Sequence, residues 1–317
     1  MVEINRPPDP VGEVLHCLRM SGIFYSRCEL TAPWGLTLPP FVDCMMFHIV
    51  VGGRLLLAID GAVSCELERG DLALVPHGEG HQILSAPGVA APGLFEVPRT
   101  PLSEKYELIR LGGGGAPTTL ICGVVRFDQP TGKRLLASLP RVIRTEARDA
   151  EEADWLESTV RFIAAEAREL RAGGETIITR LADVLVIHAI RSWMAREPAS
   201  LSGWFAALRE PGIGRAIACL HRDPGHRWTL TSLAAEAAMS RSTFAARFTE
   251  LVGEPAMQYA ARWKMQTAAL WMSEGDVPIA QVADRLGYES EAAFRRAFKR
   301  FMGRPPGALR RAERATP

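Results

Sequence analysis

Residues 230–255, LTSLAAEAAMSRSTFAARFTELVGEP, and residues 279–305, IAQVADRLGYESEAAFRRAFKRFMGRP, are two copies of one pattern set about 50 residues apart. Each opens on a short apolar helix, through Leu230, Leu233, Ala234 and Ala237 or through Ile279, Val282, Ala283 and Leu286. Each then meets a bend, at Ala238 or Gly287, and continues into a second helix capped by Ser240 or Ser290. Phenylalanines stand four apart on that second helix, Phe244 with Phe248 and Phe294 with Phe298, so both rings of a pair share one face. The small residues Ala234 and Ala283 let two helices cross closely, as a helix-turn-helix unit requires. The turn of the second copy is one residue longer.

Residues 257–272, MQYAARWKMQTAALWM, have apolar side chains at helical spacing and predict a joining helix of about four turns. A rigid joint would set two recognition helices at one spacing, suited to successive major grooves about 34 Å apart. The four phenylalanines, Trp263 and Trp271 are expected in the core, because a reader of duplex DNA has no use for base stacking.

The region 213–311, most specifically AQVADRLGYESEAAFRRAFKRFMGRPPGALRR, resembles the AraC/XylS family of bacterial transcription regulators. The resemblance implies two helix-turn-helix units bound in adjacent major-groove segments, with Gly303–Pro306 packing the end of the domain. It places base-facing positions of the first unit on Ser242, Ala245 and Ala246, flanked by Arg241 and Arg247. Ala246 offers only a methyl group, so readout should shift to Arg241, Ser242 and Thr243. In the second unit the positions fall on Glu291, Ala292, Arg295 and Arg296; Arg296 suits guanine and Glu291 suits cytosine. Lys299, Arg300 and Arg304 read as phosphate contacts. For each arginine the alternative is a solvated helix face.

The whole chain has 317 residues, 47% hydrophobic and 23% charged, which excludes a disordered or collagen-like chain and suggests two domains, or two with a helical connector. Its net charge of +1 conceals a segregation. Residues 212–317 carry 16 Lys and Arg against 10 Asp and Glu, and the rest 21 against 26, as befits a polyanion-binding C-terminal domain. Met45–Val51 and Leu181–Ile190 are too short for a membrane span, and the start MVEINRPPDP lacks a basic, then apolar leader; a cytoplasmic location without membrane partners is expected. Six cysteines without a C-x-x-C pair are expected to be mostly buried thiols.

Upstream, Phe47–Val51, Arg54–Ile59, Leu72–Val75, Tyr106–Leu111 and Thr119–Phe127 read as strands of a sandwich or barrel, and Asp60-Gly61 as a tight hairpin turn. Leu156, Val160, Ile163, Ala167 and Leu170, then Ile177, Leu181, Leu185 and Ile190 after Gly173-Gly174, predict a helical hairpin. Its second helix is apolar on more than one face and is covered either by this chain or by a second subunit. Pro211 is expected to open a further helix through Ile213, Ile217 and Leu220.

Gly70–His81, GDLALVPHGEGH, resembles the second cupin motif, G-x5-P-x-G-x2-H. PPFVDCMMFHIVVGGRLLLAIDG resembles the first, but only one of its histidines is present, as His48; the other ligand positions hold Val50 and Arg54. His48 and His81 with Cys44, His77 or another thiol would suit zinc or copper. Alternatively the two histidines hydrogen-bond within a ligand pocket or simply pack. Cys28, Cys44 and Cys122 are candidates for redox sensing, provided a neighbour lowers their pKa.

The expectation is therefore an α+β chain: a cupin-like ligand- or redox-sensing barrel (1–130), a helical connector and dimerisation region (131–204), and an all-α domain with two helix-turn-helix motifs (205–317). Its partners would be double-stranded DNA, a small effector or oxidant, RNA polymerase and a second copy of itself. It would act as a sequence-specific transcription regulator, activator or repressor, and not as an enzyme; the rival is a metal-dependent cupin dioxygenase or isomerase fused to a DNA-binding domain.

Overall fold

The computed structural model describes residues 20–127, 136, 138–145, 150–169, 171–196, 203–273 and 277–308. Cys17, Leu170, Arg310, Arg311 and the residues around Pro130 lie outside this set. The chain is α+β and divides into two compact units, one holding 20–127 with 139–196 and the other 203–308.

The first unit is a sandwich of two sheets. Its strands are β1 (Met20–Thr31), β2 (Gly35–Leu38), β3 (Cys44–Gly52), β4 (Arg54–Ile59), β5 (Ala62–Glu68), β6 (Leu72–Val75), β7 (His81–Leu84), β8 (Arg99–Pro101), β9 (Tyr106–Gly112), β10 (Pro117–Phe127) and β11 (Ile143–Arg144). One sheet has the order β11-β6-β3-β10-β1-β9-β8, the other β2-β7-β4-β5. Asp60 and Gly61 both take positive φ, 54° and 77°, in the two-residue turn between β4 and β5. That turn is the expected one, since its twist matches the paired strands.

Strand β1 was not legible as a strand, although it is hydrogen-bonded on both sides, antiparallel to β10 and parallel to β9. Its residues alternate between Cys28 and Leu30, in the core between the sheets, and Tyr25 and Arg27, on the other face. Polar residues on both faces blur the period-two signal. Strands β2, β5, β7 and β8 also escaped the sequence reading.

Helices α1 (Ala150–Glu169) and α2 (Gly174–Arg196) form the expected hairpin and pack on the outer face of the larger sheet, α1 against β3 and α2 against β6 and β11. Beneath them Tyr25 lies 6.1 Å from Phe47 and 6.3 Å from Tyr106, ring to ring. Leu185, Val186 and Ile190 are covered by this chain itself, whereas Ile177 and Val184 remain exposed on α2, and Trp155 and Phe162 on α1.

The second unit contains α3 (Gly203–Arg209), α4 (Pro211–Arg222), α5 (Leu230–Glu236), α6 (Arg241–Val252), α7 (Ala256–Ser273), α8 (Ile279–Arg285) and α9 (Glu291–Met302). Pro211 opens α4. The two helix-turn-helix units are α5–α6 and α8–α9. Their bends fall on Ala238 (φ 54°) and Gly287 (φ 72°), and Ser240 and Ser290 accept from the backbone N–H groups of Thr243 and Ala293. Phe244, Phe248, Phe294 and Phe298 are fully buried. Helix α7 is the predicted joint: it packs on α4 and α6 of one half and on α8 and α9 of the other. Met265, Ala268 and Met272 of α7 share a core with Val282, Leu286 and Phe294. His221 of α4 stacks on Trp263 of α7 at 3.7 Å between ring centres and pairs with the Tyr259 hydroxyl at 2.7 Å.

The two bends respond oppositely to substitution. A Cβ on Gly287 would lie 2.5 Å from the Gly225 carbonyl oxygen. Gly287→Ala is expected to destabilise the unit by about 1–3 kcal/mol, and Ala238→Gly to stabilise it by up to about 1 kcal/mol; thermal denaturation measures both.

Asp183, on α2, is pushed up to about 6 by burial, which Arg180 at 3.5 Å only partly offsets. A carboxyl whose folded pKa is raised binds its proton more tightly in the native state. The folded state is therefore penalised progressively as pH climbs from about 4 through about 6. Asp183→Asn is expected to stabilise the chain at pH 8, by about 1–3 kcal/mol, and to change little at pH 4; urea denaturation at the two pH values checks the sign.

Candidate nucleic-acid interface and buried thiol–imidazole site

On α6, with Phe244 and Phe248 turned inward, Arg241, Ser242, Thr243 and Ala246 are exposed. Ser242 and Thr243 hydroxyls lie 3.2 and 2.8 Å from the Ser240 cap, which orders the start of the helix. Arg247 is held elsewhere: its guanidinium reaches Glu210 at 2.7 Å and Glu250 at 2.9 Å. On α9, Ala292, Arg295, Arg296, Lys299 and Arg300 are exposed. Arg295 is bonded to Glu291 at 2.6 Å, one helical turn away. Among the described residues Arg241, Arg296 and Lys299 carry no ion pair, so their charges face solvent without compensation.

The barrel brings four of its five candidate residues together. His48 on β3 stands directly opposite Cys122 on β10, and its Nδ1 lies 3.1 Å from the Cys122 sulfur. His81, the first residue of β7, comes from the facing sheet, and the two Nε2 atoms are 2.7 Å apart. His81 Nδ1 lies 2.8 Å from the Glu79 carbonyl oxygen. Cys28, on the neighbouring strand β1, lines the same small cavity as His48 and Cys122, and its sulfur lies 3.8 Å from the Ser26 hydroxyl. All four side chains are buried. The fifth candidate, Cys44, donates its thiol to the Val42 carbonyl at 3.3 Å, and His77 turns to the Leu139 carbonyl at 2.9 Å.

The partners fix the direction of every proton. A carbonyl only accepts, so His81 Nδ1 carries the hydrogen and its Nε2 accepts from His48 Nε2. His48 Nδ1 is then an acceptor, and the Cys122 thiol donates to it. Burial holds both imidazoles below their ordinary pKa, with His81 adding to the effect on His48. The neighbouring Cys28 thiol, together with burial, holds the Cys122 thiol up. The resting chain Cys122–His48–His81–Glu79 is therefore neutral and points one way.

This arrangement does not fit a cupin metal centre. Two imidazole nitrogens on one tetrahedral zinc ion stand about 3.3 Å apart, whereas these touch at 2.7 Å. The other nitrogen of His48 is engaged by Cys122. Among the described residues no three His, Cys, Asp or Glu side chains converge on one point. The zinc or copper expected at His48 and His81 finds no matching donor set among the described residues: with Val50 and Arg54 at the other ligand positions, the histidines bond to each other. A cavity of about 10 Å³ adjoins the cluster, lined also by Phe24, Leu36, Ile83 and Leu94. It has room for about one water molecule. The contact between His48 and Cys122 depends on the β3–β10 register, which no local sequence pattern carries.

A barrel of cupin shape joined to paired helix-turn-helix units defines a class of DNA-binding regulator. Comparison with known proteins agrees. Residues 9–195 match the family described as Cupin, and residues 233–312 match the family described as Helix-turn-helix domain. A protein of Streptomyces lividans named as an AraC-like transcription regulator is 32% identical over 305 residues, covering 96% of this chain and 98% of that one. The RCS-specific HTH-type transcriptional activator RclR of Escherichia coli is 30% identical over 194 residues, 61% of this chain and 68% of that one. Among solved structures, the DNA-binding domain of AdpA in complex with a target DNA is 33% identical and covers 32% of this chain and 92% of that one, with a TM-score of 0.31. The chain belongs to the AraC family of transcription regulators. It is a transcription regulator with an AraC-type DNA-binding domain, and not an enzyme. Among the described residues no helix is long and apolar enough to cross a membrane.

Proposed function

We propose that this regulator reads its operator through Arg241, Ser242 and Thr243 of α6 and Glu291 and Arg296 of α9, with Lys299 on the phosphates, and that oxidation at Cys122 controls its output. The observation that carries the sensing half is the contact between Cys122 and His48 inside a cavity too small for an organic effector. A two-electron oxidant of the peroxide class fits: the thiol of Cys122 is held up, contrary to the lowered pKa expected of a redox cysteine, so it becomes a nucleophile only as His48 removes its proton. Cys122 attacks it while His48 takes the thiol proton and returns it to the departing oxygen, leaving a sulfenic acid and water. The Cys28 thiol then displaces the sulfenic oxygen as a second water, forming a Cys28–Cys122 disulfide. Ser26, not Cys28, stands opposite Cys122 in the β1–β10 ladder. Diagonal positions are about 7–8 Å apart, beyond the usual span of a disulfide, so the bond must draw two strands together.

Arg247 and Arg295 serve chiefly to hold their helices, because carboxylates already satisfy them. Trp155 with Phe162, and Ile177 with Val184, stand seven residues apart on their helices and leave an exposed apolar pair on each helix of the α1–α2 hairpin. A second copy of the chain would cover them with the same residues, which makes the helical hairpin both connector and dimer contact. The dimer would then recruit RNA polymerase as an activator.

Arg296→Ala is expected to cost about 1–3 kcal/mol at the selected operator and to relax base choice at one position. Selection from a random duplex library measures it, and unchanged specificity removes Arg296 from the readout. Cys122→Ser is expected to keep operator affinity and lose the transcriptional response to peroxide, with thiol trapping and mass spectrometry locating the modified cysteine. A normal response in that variant would return the sensing role to another ligand.

A further inference from the structure

The hydrogen-bonded chain does not stop at the core. Its last acceptor is the carbonyl of Glu79, in the turn between β6 and β7, and the side chains of that same turn grip a distant segment. The Glu79 carboxylate receives the Arg141 guanidinium at 2.7 and 2.8 Å, and His77 Nε2 donates to the Leu139 carbonyl at 2.9 Å. Asp60, from the β4–β5 turn, holds Arg141 from the other side at 2.6 Å. Residues 139–141 lead directly into β11, which pairs with β6, and the chain continues to α1.

The turn is built to move as one piece. Gly78 has φ +60°, and a Cβ there would lie 2.0 Å from the Phe41 carbonyl oxygen. Its own carbonyl accepts from the Phe41 N–H at 2.8 Å. A backbone packed this closely does not absorb a local change by side-chain rotation alone.

Proton order supplies the change. Every bond from Cys122 to Glu79 points the same way, and each imidazole has one hydrogen. When Cys122 loses its hydrogen to a disulfide, His48 Nδ1 faces no donor. His48 satisfies itself only by moving its hydrogen to Nδ1, and its Nε2 then meets His81 Nε2 lone pair to lone pair. His81 in turn restores that contact only by moving its own hydrogen to Nε2, which leaves the Glu79 carbonyl unpaired. Either His48 Nδ1 stays unmet, or one of the two bonds, His48–His81 or His81–Glu79, fails.

We propose that the turn from Pro76 to His81 is the element that carries the state of the thiol site to residues 139–141, with Glu79–Arg141 and His77–Leu139 as its grip. The inference rests on the reading of Cys122 as the sensor. Arg141 and Glu79 are positioning residues that touch neither oxidant nor DNA.

The test uses the full-length protein with hydrogen peroxide as probe. Three quantities are read: Cys122 oxidation by thiol trapping, hydrogen exchange of the peptide spanning 139–145, and transcription from an operator-linked reporter. In the wild type, peroxide is expected to oxidise Cys122, speed exchange at 139–145 and change transcription. In Glu79→Gln and Arg141→Gln, Cys122 should oxidise as before while exchange is already fast and the transcriptional response falls about tenfold. Arg141→Lys, which keeps the charge, should recover most of the response. Arg141 is solvent-exposed, so loss of the fold is not the expected cause, and a melting curve for each variant checks it. If Cys122 is oxidised and Arg141→Gln responds like the wild type, the grip is overturned while the sensor stands. If Cys122 is not oxidised in the wild type, the sensor fails and the grip with it.

Discussion

A histidine with no exposure to water must find one acceptor and one donor among its neighbours, or carry an unmet polar group at a cost of about 1–3 kcal/mol. His48 is in that position, and the requirement accounts for much of the barrel's interior. It demands a donor across the β3–β10 ladder, which Cys122 provides, and an acceptor from the facing sheet, which His81 provides. The second contact ties the two sheets at one point in an otherwise apolar core. The third, from His81 to the Glu79 carbonyl, fixes the turn at the mouth of β7. One buried ring thus couples both sheets and a loop.

The DNA-binding half rests on a different constraint, the positive φ at each bend. A chain of L-residues reverses between two short helices only by passing one residue through the left-handed region, which glycine does without strain and alanine does at a cost. The second copy uses Gly287, packed hard against the Gly225 backbone; the first uses Ala238. The buried phenylalanines then turn the remaining face of each second helix outward. Helix α7 packs on both halves, so the spacing of the two outward faces is set by a core rather than by a tether.

The sequence discloses these two halves unequally, for a physical reason. Helix-turn-helix geometry is local: caps, bend and the four-residue aromatic spacing lie within 27 residues, and Ser240, Ser290, Ala238 and Gly287 all stand where the pattern sets them. The sandwich depends on register between distant strands. Asp60-Gly61 was readable because its turn is made of its own two residues. Strand β1, which presents Ser26 to the core and Arg27 and Glu29 to the other side, was not. His48, His81, Cys28 and Cys122 were each recognisable as chemistry, but only the pairing of β3 with β10 and the facing of β7 show that they form one cluster and that Cys44 stands apart. The carboxylate partners of Arg247 and Arg295 were hidden in part for the same reason: Glu291 lies one turn from Arg295, but Glu210 is 37 residues from Arg247.

The missing cupin ligands explain why this interior is a hydrogen-bond chain at all. In a metal centre each histidine spends one nitrogen on the ion, and a second partner orients the ring. With Val50 and Arg54 at two ligand positions, His48 keeps both nitrogens, and the only way to bury them is to bond them to other protein groups. Two histidines in contact can share one hydrogen in one direction only, so the next group along each side is forced to be a donor at one end and an acceptor at the other. A thiol is a weak donor and the easiest of these groups to oxidise. The end of the chain that supplies the hydrogen is therefore also the end most easily altered by chemistry, while the end that receives it is backbone, which is fixed in composition and free only to move.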